Sequence, residues 1–465
     1  MSEIIFSKEF PVAPARLFLV GIGGIGMSGL AQFLRHQGYE VAGSDRGIAE
    51  PARKELFDAL SRQGIRLFPQ DGSGPREFHP DGFVFTTAIE PGNPDQMAAP
   101  ETPVFHRAFV LAQLCRQCGG SLIGVAGTCG KTSVTGWIGS ALNALGRTVL
   151  LIDGGYLPEF ESESMPGNFY VTKGVAKPEF VVAEIDESDH SISEFSPDYG
   201  LVLNVGDDHY GTEELERVFK AFLSRCEKGG VYPENCAAVV PSPANTLVGY
   251  DCSATGYRSL PTGMRFTCGG VEISCTQSGV HSAWNAAAVF AVLRMALPNE
   301  PKESIAAALG AFRGVRQRFE VLTCPSARVA VINDYAHNPE KIAAAICAAK
   351  ERFGAPVGVA FQPHGFGALR FMRDALREHL AKVLDRTDAF LMLPVYYAGG
   401  TVDFSPTSQE VADDFSSNGI PVQAVETRAE AEKILAAGNF KAWLIVGARD
   451  ASLRTWSRDL AERNS

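Results

Sequence analysis

One short stretch constrains this chain more than any other: SLIGVAGTCGKTS, residues 121–133, in which an apolar strand pattern runs into a glycine-rich turn and then a helical period. A chain turns that sharply from strand to helix only through glycine, and the N–H groups left exposed lie at the positive end of the helix. Gly127, Thr128, Cys129, Gly130, Lys131, Thr132 and Ser133 therefore read as a loop that cradles phosphates. Lys131 is placed to neutralise the β and γ oxygens of a nucleotide, and the Thr132 hydroxyl to bind magnesium. The strict pattern asks for glycine at position 125, where this chain has valine.

A second glycine turn precedes it. Gly21, Gly23 and Gly26 in GIGGIG follow the strand pattern RLFLV and open a helical run that stops at Gly38. Asp45 stands about 20 residues on, at the end of the next strand pattern. Such a turn admits a pyrophosphate to the helix end, and the pattern alone fits a nicotinamide dinucleotide or the diphosphate of a nucleotide sugar.

Strand patterns TVLLID, FVVAEID and YGLVLNVG each end in polar residues, where open parallel sheets bind ligands. Residues 229–280 carry no long helical period and read as short strands or loops. HSAWNAAAVFAVLRMAL and SIAAALGAFRGV read as helices; strands and helices then alternate to the C-terminus through RVAVINDY, VGVAFQ, AFLMLPV, PVQAVE and AWLIVG. A chain of 465 residues is too long for one core. The expectation is an α/β protein of three domains: a Rossmann-like domain over 1–117, a central phosphate-loop ATPase-like domain over 118–321, and a Rossmann-like domain over 322–465.

A net charge of −11 argues against nucleic-acid binding, which needs clustered Lys and Arg. No stretch is long and apolar enough to span a membrane, and the start lacks the pattern of a secretory signal. Ten scattered cysteines read as reduced thiols, and the lone CxxC of Cys115 and Cys118 as structural, all consistent with the cytoplasm.

With GTCGKTS following a Rossmann-like domain, the chain resembles the Mur ligases. AEIDESD, residues 183–189, resembles the family's AEADESD segment, and NVGDDH, residues 204–209, its N-x-x-x-DH segment. The resemblance implies that Glu184 and His209 join Thr132 in binding Mg2+ near the γ phosphate, a task that hard carboxylate oxygen and neutral imidazole suit. Asp186, Glu187 and Asp189 read as helix-start or outer acids. His281 and Asn285 in VHSAWNAAA fall in a segment similar to one that contacts the adenine end of ATP. FRGVRQRF is similar to FxGVxRRF, so Arg318 would reach phosphate, while Gln317 replaces a neighbouring arginine. NDYAHNP is similar to the third-domain DYAHHP motif: Asp334 would hold the ribose or a water, and His337 would face the reacting centre. TTAIEPGNPD and VFHRAFVLAQL resemble the alanine-adding branch, in which Gly21, Gly23, Gly24, Ile25, Gly26, Ser44, Asp45, Thr87 and His106 would bind the UDP-sugar.

The implied activity is amide-bond formation dependent on ATP and Mg2+. The carboxylate of UDP-N-acetylmuramate is activated as an acyl phosphate and attacked by L-alanine, with Lys131, Glu184, His209 and His337 catalytic, in a monomer or homodimer that makes peptidoglycan precursors. The match weakens at Phe361–Arg370, where the branch carries two arginines that position the amino acid and this chain reads FQPHGFGALR; Asn338 also replaces a histidine. The alternative within the family is a murein peptide ligase, which joins a recycled tripeptide to the same sugar. Outside it, a nicotinamide-dependent oxidoreductase leaves GTCGKTS unexplained. A catalytically silent nucleotide-binding regulator sits poorly with the retained Lys131, Glu184, His209 and Asp334.

Overall fold

The computed structural model describes residues 5–187, 191–206, 211–241, 246–251, 253–397 and 404–464; Asp189 and His209 lie outside the described residues. The chain divides into two compact units. The first comprises Met1–Thr255, Phe266–Cys275 and Trp284–Val315, the second Gly256–Arg265, Thr276–Ala283 and Arg316–Ser465.

Two sheets build the first unit. β1 (Arg16–Val20), β2 (Glu40–Asp45), β3 (Arg66–Pro69), β4 (Gly82–Phe85) and β5 (Val104–His106) form a parallel sheet in the order β3-β2-β1-β4-β5. Leu17 to Val20 and Phe83 to Phe85 are wholly buried, as expected of strands covered on both faces. The order reverses between β1 and β4, which opens a crevice beyond their C-terminal ends, where the Gly21–Gly26 turn lies.

The second sheet contains β6 (Ser121–Ala126), β7 (Val149–Ile152), β8 (Phe169–Val171), β9 (Phe180–Glu184), β10 (Tyr199–Val202), β11 (Gly229–Pro233) and β12 (Leu247–Tyr250). Its order is β12-β11-β10-β6-β9-β7-β8, parallel except for β8. β6 is flanked by β9, with Val125 opposite Glu184, and by β10, with Ala126 opposite Val202. That register delivers the turn after β6, Glu184 and Asn204 to one edge. Residues 229–280, read as strands or loops, hold β11 and β12 and three more strands, β13 (Thr255–Leu260), β14 (Gly263–Cys268) and β15 (Val271–Cys275). Short alternating strands between turns leave little periodic signal to read.

The two sheets are stitched by buried polar groups. Asn168, fully buried, donates to the Ile25 carbonyl (2.7 Å) and Ser28 Oγ (2.9 Å) and accepts from Gln32 Nε2 (2.9 Å). Removing one partner would strand the others without water, at about 1–3 kcal/mol each. The helix Lys131–Ala144 is moored by Trp137: its indole N–H donates to the Leu309 carbonyl (2.9 Å) and its ring stacks on Phe312 at 4.8 Å.

In the second unit, β16 (Glu320–Val321), β17 (Ala330–Asp334), β18 (Val357–Phe361), β19 (Ala389–Met392), β20 (Val422–Ala424) and β21 (Ala442–Val446) form a sheet in the order β16-β17-β21-β18-β19-β20. All pairs but β16–β17 are parallel. β18 and β21 are buried along their whole length, matching the apolar runs VGVAF and AWLIV. No helix among the described residues is long and apolar enough to cross a membrane.

Candidate active site

The first glycine turn is closed by its own acid. Gly21 takes φ +75°, and the Gly21 and Ile22 amides donate to the Ser44 carbonyl at 2.8 and 3.0 Å. Asp45 Oδ2 accepts from the Gly23 amide (2.8 Å), while Oδ1 accepts from Gly47 (2.8 Å) and pairs with Arg53 (3.3 Å). A Cβ at Gly23 would lie 2.7 Å from that carboxylate and 2.8 Å from Phe57, so only glycine fits.

The second turn is braced from outside. Gly127 and Gly130 take φ +132° and +89°. Asn204, just beyond β10, accepts from the Cys129 amide (2.8 Å) and donates to the Cys129 carbonyl (2.9 Å), a two-bond clamp on the middle of the loop. Thr128 Oγ1 accepts from the Gly206 amide (3.0 Å). A Cβ at Gly130 would come within 2.8 Å of Asn285 Oδ1, which places Asn285 against the loop. Lys131 Nζ donates to the Gly127 carbonyl (2.7 Å) and to both oxygens of Glu187 (2.9 Å each). Burial works against the lysine's charge, but Glu187, with Glu184 and Asp186, outweighs it and holds the Lys131 pKa above its ordinary value.

Between the two sheets lies a cavity of about 340 Å³. The first domain contributes Gly24, Gly26, Thr86 and Arg107, and the second Asp153, Gly154, Glu184 and Asp186. Arg107 reaches across the start of the helix Ile25–His36, close enough that a Cβ at Gly26 would meet its guanidinium at 2.8 Å. Glu184 Oε2 accepts from the Gly154 amide (3.1 Å) at the cavity wall.

The donors suit Mg2+. Among the described residues no three His, Cys, Asp or Glu side chains gather as a metal cage. Mg2+ needs none: it is commonly held by one or two protein oxygens together with substrate phosphates, and Glu184 and Thr132 offer those oxygens.

In the second unit, the Asp334 carboxylate at the end of β17 accepts from the Phe319 and Ala336 amides at 2.6 Å each. Burial pushes its pKa up, and Arg318 pulls against that. The Arg318 guanidinium lies 5.1 Å over the Tyr335 ring. His337 Nδ1 lies 2.9 Å from the Tyr335 carbonyl, and its ring meets His364 edge-on at 5.3 Å. Burial, then His337 and Arg449, lowers the His364 pKa to about 4, so that imidazole is neutral. Asn338 caps the helix Pro339–Phe353 by accepting from the Lys341 amide (2.9 Å).

Three family descriptions match in order: "Mur ligase family, catalytic domain" over residues 17–118, "Mur ligase middle domain" over 125–239, and "Mur ligase, glutamate ligase domain" over 317–449. The chain is 32% identical over 420 residues to the UDP-N-acetylmuramate–L-alanine ligase of Neisseria gonorrhoeae, covering 83% of this chain and 84% of that one. It is 33% identical over 423 residues to that of Leptothrix cholodnii, with 83% and 84% covered. The chain belongs to the Mur ligase family. Its fold matches the crystal structure of the UDP-N-acetylmuramate–alanine ligase of Thermotoga maritima with a TM-score of 0.78 at 26% identity, covering 97% and 99% of the two chains. A murein peptide ligase from Psychrobacter arcticus shares the fold at TM-score 0.65 and 17% identity, with 97% and 98% covered.

Within this Mur ligase the structure redistributes several sequence expectations. Ser44 is fully buried and its hydroxyl donates to Asp95 at 2.5 Å, so it builds the first turn from behind. Asp45 likewise spends its oxygens on backbone and Arg53. Thr87 is exposed, and Thr86 is the threonine that lines the cavity. His106 Nδ1 accepts from Ala108 and caps the helix Arg107–Cys118, while its neighbour Arg107 reaches the cavity. Glu187, read as a helix-start or outer acid, pairs with Lys131. Burial lowers the His281 pKa. Asn204, Arg107 and Glu187 were missed: each lies inside or beside a quoted motif, and it takes the register of β6, β9 and β10 to place Asn204 and Glu187 at the loop, and the approach of Arg107 to Gly26 to place Arg107 at the cavity.

Proposed function

We propose that this chain is an ATP-dependent amide ligase that joins L-alanine to UDP-N-acetylmuramate through an acyl phosphate, in peptidoglycan precursor synthesis in the cytoplasm. The observation that carries this reading is the shared cavity. One wall comes from the first glycine turn, the other from the sheet edge that carries the phosphate loop, so a sugar-nucleotide carboxylate can meet a γ phosphate there. Gly21, Gly23, Gly24, Ile25 and Gly26 would frame the diphosphate, and Arg107 would face the sugar side. Gly127 to Ser133 would hold the triphosphate, with Lys131 balancing its charge; Asn285, His281, Arg318 and Asp334 would serve the nucleotide. Glu184, Thr132 and His209 would hold Mg2+, which when bound supplies charge neutralisation on the transferring phosphoryl group. Preorganised charge of this kind and exclusion of water do most of the work in such transfers. His337 would face the incoming amine. We assign residues 1–117, 118–321 and 322–465 to the sugar, nucleotide and amino-acid domains.

The relatives named as alanine ligases support L-alanine. The glycine-rich FQPHGFGALR segment supports a second reading, in which a murein tripeptide replaces alanine. The test is to incubate the protein with UDP-N-acetylmuramate, ATP and Mg2+ plus L-alanine, glycine, L-serine or the tripeptide, measuring phosphate release and product mass. Alanine-dependent product is the expected result; product only with the tripeptide transfers the assignment, and none with any acceptor overturns it.

A further inference from the structure

An ammonium group has three N–H donors, and in Lys131 all three are spent: one on the Gly127 carbonyl and two on Glu187. Nothing remains for a phosphate oxygen. The pair is well screened from water, with 14% of the lysine side chain and 4% of the glutamate side chain exposed. A surface ion pair of the same geometry would exchange freely with solvent, whereas a buried one exchanges its partner only for another charge. Glu187 also stands on the right element. It lies three residues beyond Glu184 at the end of β9, the strand beside β6, so its carboxylate projects across the loop that β6 feeds.

We propose that Glu187 is the resident counter-anion of the phosphate loop, a positioning residue that holds Lys131 until a nucleotide's phosphates replace it. This rests on reading the loop as a nucleotide site. For each phosphate oxygen that the lysine takes it gives up one of its three present contacts, and two of those three are to Glu187. Glu187 thus opposes nucleotide binding, and it does so through Lys131. In return it keeps the lysine from collapsing onto other acceptors in the unloaded protein.

Affinity for a nonhydrolysable ATP analogue with Mg2+, measured by calorimetry on the full chain without sugar or amino acid, tests this apart from ligase turnover. Glu187→Gln is expected to tighten binding about tenfold in the Lys131 background. In a Lys131→Gln background the same change is expected to tighten it no more than about twofold. Equal tightening in both backgrounds would mean the carboxylate repels phosphates directly and overturns the inference. So would unchanged or weaker binding by Glu187→Gln whose thermal unfolding is still cooperative. Glu187→Asp, which keeps the charge, separates misfolding from the latch: it is expected to bind as the parent does, and a tenfold gain there would also count against the proposal. If the parent protein bound no nucleotide, both the loop reading and this inference would fall; if it bound nucleotide but made no amide product, only the ligase reading would.

Discussion

The turn after β1 and the turn after β6 share a plan, an apolar strand, a glycine-rich bend and a helix, yet they are held by different means. The first satisfies itself: Asp45, from the neighbouring strand, takes the Gly23 and Gly47 amides, and the backbone is fixed before any ligand arrives. The second is held by residues from two flanking strands, Asn204 beyond β10 and Glu187 beyond β9, and its one cation is already paired. A shape-reading site can be built complete, because its donors are neutral amides. A charge-reading site cannot, since an unpaired buried ammonium costs too much to leave waiting.

That contrast can be broken experimentally. The largest effect is expected for Lys131→Ala, which should cut amide-forming turnover by about 10²–10³-fold, the usual cost of losing one preorganised charge-stabilising donor, with sugar-nucleotide affinity little changed; full turnover would remove the phosphate loop from the mechanism. Asn204→Leu should come next. Losing both bonds to Cys129 frees the loop, and nucleotide affinity is expected to fall roughly tenfold, about 1.4 kcal/mol, in a calorimetric titration. If sugar binding fell equally, the two turns would not be independent. Asp45→Ala should do the reverse and least: about 1–3 kcal/mol of stability lost in urea unfolding as two amides lose their acceptor, weaker UDP-sugar binding, and nucleotide affinity within about twofold of the parent.

Both turns were legible in the sequence because glycine at those spacings is a backbone requirement, written in identity and order. So were the parallel sheets, whose buried strands read as unbroken apolar runs. Partnership was not legible. Glu187 looks like any acid after a strand until β9 is laid against β6 with Glu184 opposite Val125. Thr86 and Thr87 are indistinguishable as letters, and the twist of one residue decides which faces the cavity. His106 and Arg107 divide in the same way between capping a helix and lining a site. Asn338 carried both signals, a motif position and a helix start, and the structure shows it acting as the cap.

The mooring of Trp137 bears on time. The helix that begins at Lys131 is fixed two turns along by a buried indole bond and a ring stack, so its start cannot swing far as a body. Exchange of Glu187 for phosphate is then left to the torsions of a buried side-chain pair, slower than the picosecond-to-nanosecond flips of exposed side chains, with no motion of the helix as a body. A lysine held this way resists entry through energy: it lowers occupancy at equilibrium, and the helix itself need not move for a nucleotide to arrive.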